Sequence, residues 1–154
     1  MANLYFEEVE IGARSTAGPY ALSKDEIIRF AMQYDPTPRH VDEEAAARSQ
    51  FGGLTASGSH TFAIYILLSS RLQPHFQVLM GLSWDGLKLP TPVRPGDQLD
   101  LEMTVLEKRE SKSRPDRGIV RNRILMCNQK REPVLECFSS IFVGRRPHSN
   151  TAAP

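Results

Sequence analysis

The chain of 154 residues holds only two cysteines, Cys127 and Cys137, and they do not form a Cys-x-x-Cys pair. Its four histidines, His40, His60, His75 and His148, are scattered, so the sequence carries no metal-ligand cluster and both thiols read as small core residues. Long apolar runs are also missing. The longest, residues 62–68, is seven residues, against the about 20 that a bilayer-crossing helix needs. Charge of one sign is not in excess: 19 basic and 18 acidic side chains leave a formal net charge of +1. Without a large field, neither nucleic acid nor an anionic membrane surface is an expected partner. The opening segment carries Glu7, Glu8 and Glu10 rather than the basic start of a secretory signal, so a cytoplasmic location is expected.

What is present is ordinary globular material, 40% apolar and 24% charged, in a length that suits one domain. We expect a single domain over residues 1–146 and a disordered tail over 147–154, which has no core-forming content. Ser23 stands three residues before Glu26 in the spacing of a capping box. Ile27, Ile28, Phe30 and Ala31 then recur at helical period until Pro36 and Pro38 forbid continuation. Residues 35–40 are expected to form a stiff loop, because two prolines with fixed φ hold its side chains at low entropic cost. Asp42, Glu43 and Glu44 open a short alanine-rich helix with its acidic groups in the favourable first turn.

A glycine-rich stretch over 51–58 leads into residues 61–72, which are apolar nearly all round and therefore predict a buried helix. Beyond it the period changes to two. Leu99, Leu101, Met103 and Val105 alternate with Asp100, Glu102 and Thr104, the pattern of a half-buried strand. Residues 118–128 and 133–143 predict two more strands joined as a hairpin, and residues 77–89 give a weaker strand signal. Helices first and antiparallel strands after, with one buried helix to wrap, is an α+β plan. One sheet around one helix leaves edges uncovered, which dimerisation would solve.

Chemistry-bearing residues collect within 24 positions: the carboxylate of Asp35, the imidazole of His40, and a small-residue helix start at Ser57 and Gly58. A carboxylate and an imidazole together can activate water or deliver a proton. Amides at a helix N-terminus can stabilise negative charge on a carbonyl oxygen, and Gly58 admits close approach. Spacing alone leaves a second reading, with Asp35 capping a turn and His40 a surface histidine.

Asp-Pro-Thr-Pro-Arg-His-Val-Asp over residues 35–42, then three alanines at 45–47, Phe-Gly at 51–52 and Gly58, resemble the MaoC-like dehydratases, the family of the (R)-specific enoyl-CoA hydratases. The resemblance extends through Pro92, Pro95, Gly96 and Asp97 and the later strands. It implies the hot-dog fold, a curled antiparallel sheet around one long helix, in a homodimer or a dimer of dimers. It also implies reversible hydration of a trans-2-enoyl thioester of coenzyme A or acyl-carrier protein, giving the (R)-3-hydroxyacyl thioester. By matching position, Asp35 and His40 share the acid and base roles and the Gly58 amide polarises the thioester carbonyl. No cofactor is implied beyond the coenzyme A of the substrate, and no metal.

This sequence departs from the family signature at Thr37 (Asn in the signature), Tyr34 (Gly) and Ser57 (often His), and it has Ile66 where some hydratases carry a serine. Tyr34, Thr37, Ser57, His60 and Ile66 are accordingly candidate pocket residues. Tyr34 either narrows an acyl pocket or ends its helix as plain packing, and His60 either reaches the site or is a hydrogen-bonded core residue. Lys112, Arg114 and Arg117, in a basic cluster with Lys108 and Arg109, are candidate contacts for coenzyme A phosphates. The interleaved Glu107, Glu110 and Asp116 favour a solvated loop instead. Trp84 and Asp85 are candidates to border an acyl tunnel. Two other functions fit a hot-dog domain: a thioesterase, attacking the carbonyl carbon, and an acyl-thioester binding protein without turnover.

Overall fold

In a computed structural model, residues 2–147 are described. Five antiparallel strands form one sheet in the order β1-β3-β4-β5-β2. They are β1 Arg14–Ala21, β2 Val78–Lys88, β3 Gln98–Glu110, β4 Arg117–Cys127 and β5 Pro133–Gly144. Helices α1 Lys24–Tyr34, α2 Pro38–Val41, α3 Glu43–Arg48 and α4 Gly58–Ser69 lie between β1 and β2 in the chain. The sheet curls around α4, which makes this a hot-dog fold.

Period-two alternation drives the central strands. Leu99, Leu101, Met103 and Val105 of β3 are buried, as are Val120, Ile124 and Met126 of β4. These faces meet Ile64, Tyr65 and Leu68 of α4, so the helix lies in the sheet's concave side. Each fully buried aliphatic side chain contributes about 1.5–3 kcal/mol relative to exposure. A second, smaller cluster, Phe6, Val9, Val105, Val120 and Val143, closes the other end of the sheet.

Five expectations need correction. Helix α4 is not buried all round, because Ile66 and Leu67 remain 43% and 39% exposed; one curled sheet covers only one side of a cylinder. The helix also ends at Ser69, three residues short of the expected Leu72. Residues 38–41 form a helical turn rather than pure loop, since Pro38 at the first helical position has its φ preset and no amide to lose. The box at Ser23 is half made: Ser23 Oγ accepts from the Glu26 amide at 3.2 Å, but the Glu26 carboxylate points elsewhere, to Tyr20. Cys137 is a core residue, while Cys127 is only half-buried at the strand end.

Strand β1 had no clear signal in the sequence. It is an edge strand in which Ser15 alone is fully buried, and it carries Gly18 and Pro19, residues that edges tolerate. Gly18 is required there. Its φ is +129°, and a Cβ would lie 2.6 Å from Asp100 Oδ1 and 2.7 Å from the Leu99 carbonyl oxygen. The expected tail over 147–154 falls, apart from Pro147, outside the described residues.

Candidate active site

The end of α1 and the start of α4 build the site. Helix α1 cannot pass Pro36, so Asp35 becomes its C-cap, with φ −156° and ψ 71°. Helix α4 begins at Gly58 with Ser57 as N-cap, and Ser57 does not cap its own helix. Its hydroxyl donates instead to Asp35 Oδ2 at 2.7 Å. Thr37 Oγ1 donates to the other oxygen, Asp35 Oδ1, at 2.9 Å. The Ser57 hydroxyl, followed by that of Thr37, holds the Asp35 carboxyl below the usual carboxylate range, so Asp35 is ionised at neutral pH.

His40 rides on α2, and Pro38 sets that turn. The imidazole is 4% exposed. Its Nδ1 lies 2.6 Å from the Thr55 carbonyl oxygen. A carbonyl can only accept, so Nδ1 carries the proton. That leaves Nε2 as the working nitrogen, 3.5 Å from Asp35 Oδ2. The gap exceeds a direct N–H···O bond and lets one water contact both groups.

A cavity of about 190 Å3 opens beside His40, walled by Arg39, Thr55, Gly58, Thr61, Leu89 and Val93 among others. The Val93 carbonyl accepts the Ala56 amide at 2.8 Å, which ties the wall to the approach of α4. With Ser57 occupied at Asp35, the first amides of α4 have no side-chain cap. A Cβ at Gly58 would meet Leu89 Cδ1 at 2.8 Å, so the end of the Leu89 side chain packs directly over this glycine and would have to shift for any larger residue.

The structure therefore brings Asp35, Thr37, His40, Ser57 and Gly58 together. The other candidates lie elsewhere. Tyr34 is 64% exposed and packs on Phe30, with ring centroids 4.9 Å apart. His60 turns to the far side of α4's first turn, stacked on Phe30 at 4.2 Å, with Nε2 3.6 Å from Glu26 Oε1. Ile66 lines a second, largely apolar cavity of about 390 Å3 farther along α4, with Tyr65, Ser69, Trp84 and Ile124. Trp84 Nε1 donates to Tyr65 Oη there at 3.0 Å, while Asp85 pairs with Arg121 at 3.0 Å.

Lys112, Arg114 and Arg117 sit at the β3–β4 turn end of the sheet, where Arg117 pairs with Asp116 at 2.9 Å. Arg117 faces Gly144 across the ladder, whereas Val134, at the other end of β5, lines the His40 cavity. Ten strand residues separate the two ends, roughly 30 Å, so within one chain these cations do not approach the dyad. Sequence reasoning missed Arg39, the cation that does line the cavity, and Thr55, whose contribution is a backbone carbonyl with no side-chain signature.

A family model described as "MaoC like domain" matches residues 8–125. The chain belongs to the MaoC-like domain family. The crystal structure of a MaoC-like dehydratase from Rhodospirillum rubrum is similar to this MaoC-like chain with a TM-score of 0.88 and 42% identity, covering 94% of this chain and 99% of that one. An uncharacterized protein of Bacillus subtilis (strain 168), YdeM, is 32% identical over 142 residues, 90% of this chain and 98% of its own. A 3-hydroxybutyryl-CoA dehydratase of Methylorubrum extorquens is 32% identical over 106 residues, 68% of this chain and 65% of its own. Asp35, His40 and Gly58 all fall inside the matched region.

Proposed function

We propose that this MaoC-like protein is a hydratase and dehydratase that interconverts a trans-2-enoyl thioester, most simply of coenzyme A, and its (R)-3-hydroxyacyl counterpart. The observation that carries the reading is the dyad itself: an ionised Asp35 with His40 Nε2 3.5 Å from its Oδ2, beside the uncapped amides of α4. In the hydration direction a water held between the two groups gives a proton to the dyad as its oxygen bonds to C3. Electron density moves from the C2–C3 double bond toward the thioester oxygen, where the Gly58 amide meets it. The dyad then returns a proton to C2. Such positioned acid and base groups contribute typically 100-fold to 10,000-fold each.

The acyl tail is assigned to the apolar cavity that Ile66 and Trp84 line, and Arg39 to an anionic group of the carrier. The protein is further proposed to work as a homodimer through β2. That edge strand carries Leu79, Met80, Leu82, Trp84 and Leu87, each at least 40% exposed, next to the uncovered Ile66 and Leu67 of α4. Sedimentation of the wild type, with a Leu82→Arg variant expected to shift toward monomer, checks that assembly.

The functional test is incubation with crotonyl-CoA, following conjugated enoyl absorbance and free thiol in parallel. Loss of absorbance without thiol supports hydration. Thiol release moves the protein to the thioesterases. Saturable binding with neither signal, across a panel of branched and aromatic enoyl thioesters as well, makes it a binding protein.

A further inference from the structure

One side chain behind the dyad has a role that neither acid–base partner explains. Ser57 Oγ lies 2.7 Å from Asp35 Oδ2 and 2.8 Å from Ser59 Oγ. A hydroxyl has one proton to give, and the ionised carboxylate can only accept, so Ser57 donates to Asp35. The Ser59–Ser57 bond then has one possible sense, with Ser59 donating. The hydroxyls run Ser59 to Ser57 to Asp35 as a directed chain. Ser57 is 1% exposed, whereas Ser59 is at the surface. Thr37 makes no such chain, since it ends on Asp35 Oδ1.

We propose that Ser59 and Ser57 form a hydroxyl relay that carries protons between the Asp35 carboxylate and solvent during turnover. The inference rests on the hydratase reading. Asp35 is 32% exposed in the free protein; with a thioester laid over that face, the hydroxyl chain is the path outward that would remain. In dehydration the C2–H bond breaks and its electron pair becomes the new π bond. The C3–O bond breaks with it, and water departs with one proton from the dyad, so a turnover leaves the dyad's proton count unchanged and the relay exchanges protons with solvent rather than exporting them. While the C2 proton is held at Asp35 Oδ2 the two hydroxyls turn outward, Asp35 gives its proton to Ser57 as Ser57 gives its own to Ser59 and Ser59 its own to water, which leaves the chain in the sense seen with the ionised carboxylate. The reverse transfer from water restores the proton that departs with the hydroxyl; nothing is oxidised, and repeated passes replace the C2 proton by one from solvent.

The test uses (R)-3-hydroxybutyryl-CoA deuterated at C2, in ordinary water, measuring label lost from recovered substrate against enoyl product formed. The wild type is expected to show washout. Ser59→Ala is expected to lower the washout-to-product ratio at least about five-fold while dehydration falls less than about three-fold, and Ser59→Thr, which restores a hydroxyl, is expected to restore the ratio. Ser57→Ala is expected to lower the ratio equally and to move the acidic limb of the rate profile to higher pH, since Asp35 loses a donor. An unchanged ratio in both alanine variants, with dehydration proceeding, overturns the relay. A wild type inert toward every enoyl and hydroxyacyl thioester overturns the hydratase reading instead. Carbon-13 titration of the Asp35 carboxyl then judges the chain alone. An upward midpoint in Ser57→Ala supports the coupling of the hydroxyls to the carboxylate, and no movement removes it.

Discussion

Two histidine–carboxylate pairs sit at the first turn of α4, and they are nearly the same length. His40 Nε2 is 3.5 Å from Asp35 and His60 Nε2 is 3.6 Å from Glu26, with both imidazoles almost fully buried. Their surroundings differ. Asp35 takes two hydroxyl donors, and its partner His40 lines a cavity together with Gly58 at the uncapped start of α4. Glu26 takes the Tyr20 hydroxyl, and His60 lies flat against Phe30 with interplanar angle 5° and its Nδ1 without a partner. Burial lowers the His60 pKa against the opposing pull of Glu26 and raises that of Tyr20 to about 12. A pair becomes chemical through what it faces, and the second pair faces only packing. It clasps α1 to α4, the two helices whose ends carry Asp35 and Ser57.

The sharpest way to break this contrast is to remove one member from each pair. His40→Ala and Asp35→Asn are each expected to lower hydratase turnover at least about 100-fold in protein that remains folded, the scale of a lost general acid or base. Retained activity in both would undo the site. His60→Ala should do the reverse: an unfolding penalty of about 2–4 kcal/mol for the emptied core position, read as a melting temperature lower by about 5–15 °C, and turnover of the folded variant within about three-fold. A 100-fold loss there would make the two pairs functionally alike.

Smaller effects sharpen the comparison. Thr37→Val removes one donor from Asp35, and a hydrogen bond to a charged group is worth about 1.5–3 kcal/mol, so turnover near the acidic limb is expected to fall about ten-fold or more as that limb moves to higher pH. The pairs also lose stability in different pH windows. His60 binds its proton less readily folded than unfolded, so the unfolded state takes up protons first as pH falls through 6.5, and stability declines from there to the lower folded value. The groups facing it are Glu26 and Phe30 of α1, with Tyr20 of β1 and Arg71 just beyond. Asp35, whose folded pKa is lowered, contributes stability that is fully present above its ordinary 3.8 and lost only as pH falls below it. Thermal melts between pH 7 and 5 should therefore flatten in a His60→Phe variant and keep their slope in Asp35→Asn. Smallest of all, Arg39→Glu is expected to raise KM for the coenzyme A thioester about two- to five-fold, the scale of an exposed ion pair.

Much of this was legible in the sequence wherever burial imposes a period. The alternation in β3 and the apolar run of α4 announce themselves because both pack against one core. Strand β1 did not, because an edge strand with one buried serine has no period to show. Asp35 and His40 could be picked out together because prolines stiffen the short segment between them. The clustered cations over 108–117 could not be located, since a charge run says nothing about which end of a sheet it occupies. His60 and Glu26 are far apart in the chain, and no spacing rule joins them. The Thr55 carbonyl, which fixes the His40 tautomer, is invisible in any sequence.

Strand β2 has one more consequence. It presents an unpaired ladder edge and apolar side chains on both faces, a surface whose cost to the free chain vanishes when a second copy covers it. In the proposed homodimer folding and association share one equilibrium, so its thermal midpoint is expected to depend on protein concentration. Dilution alone should lower it. An assay run at nanomolar enzyme and a melt run at micromolar protein would then sample different populations of the same molecule.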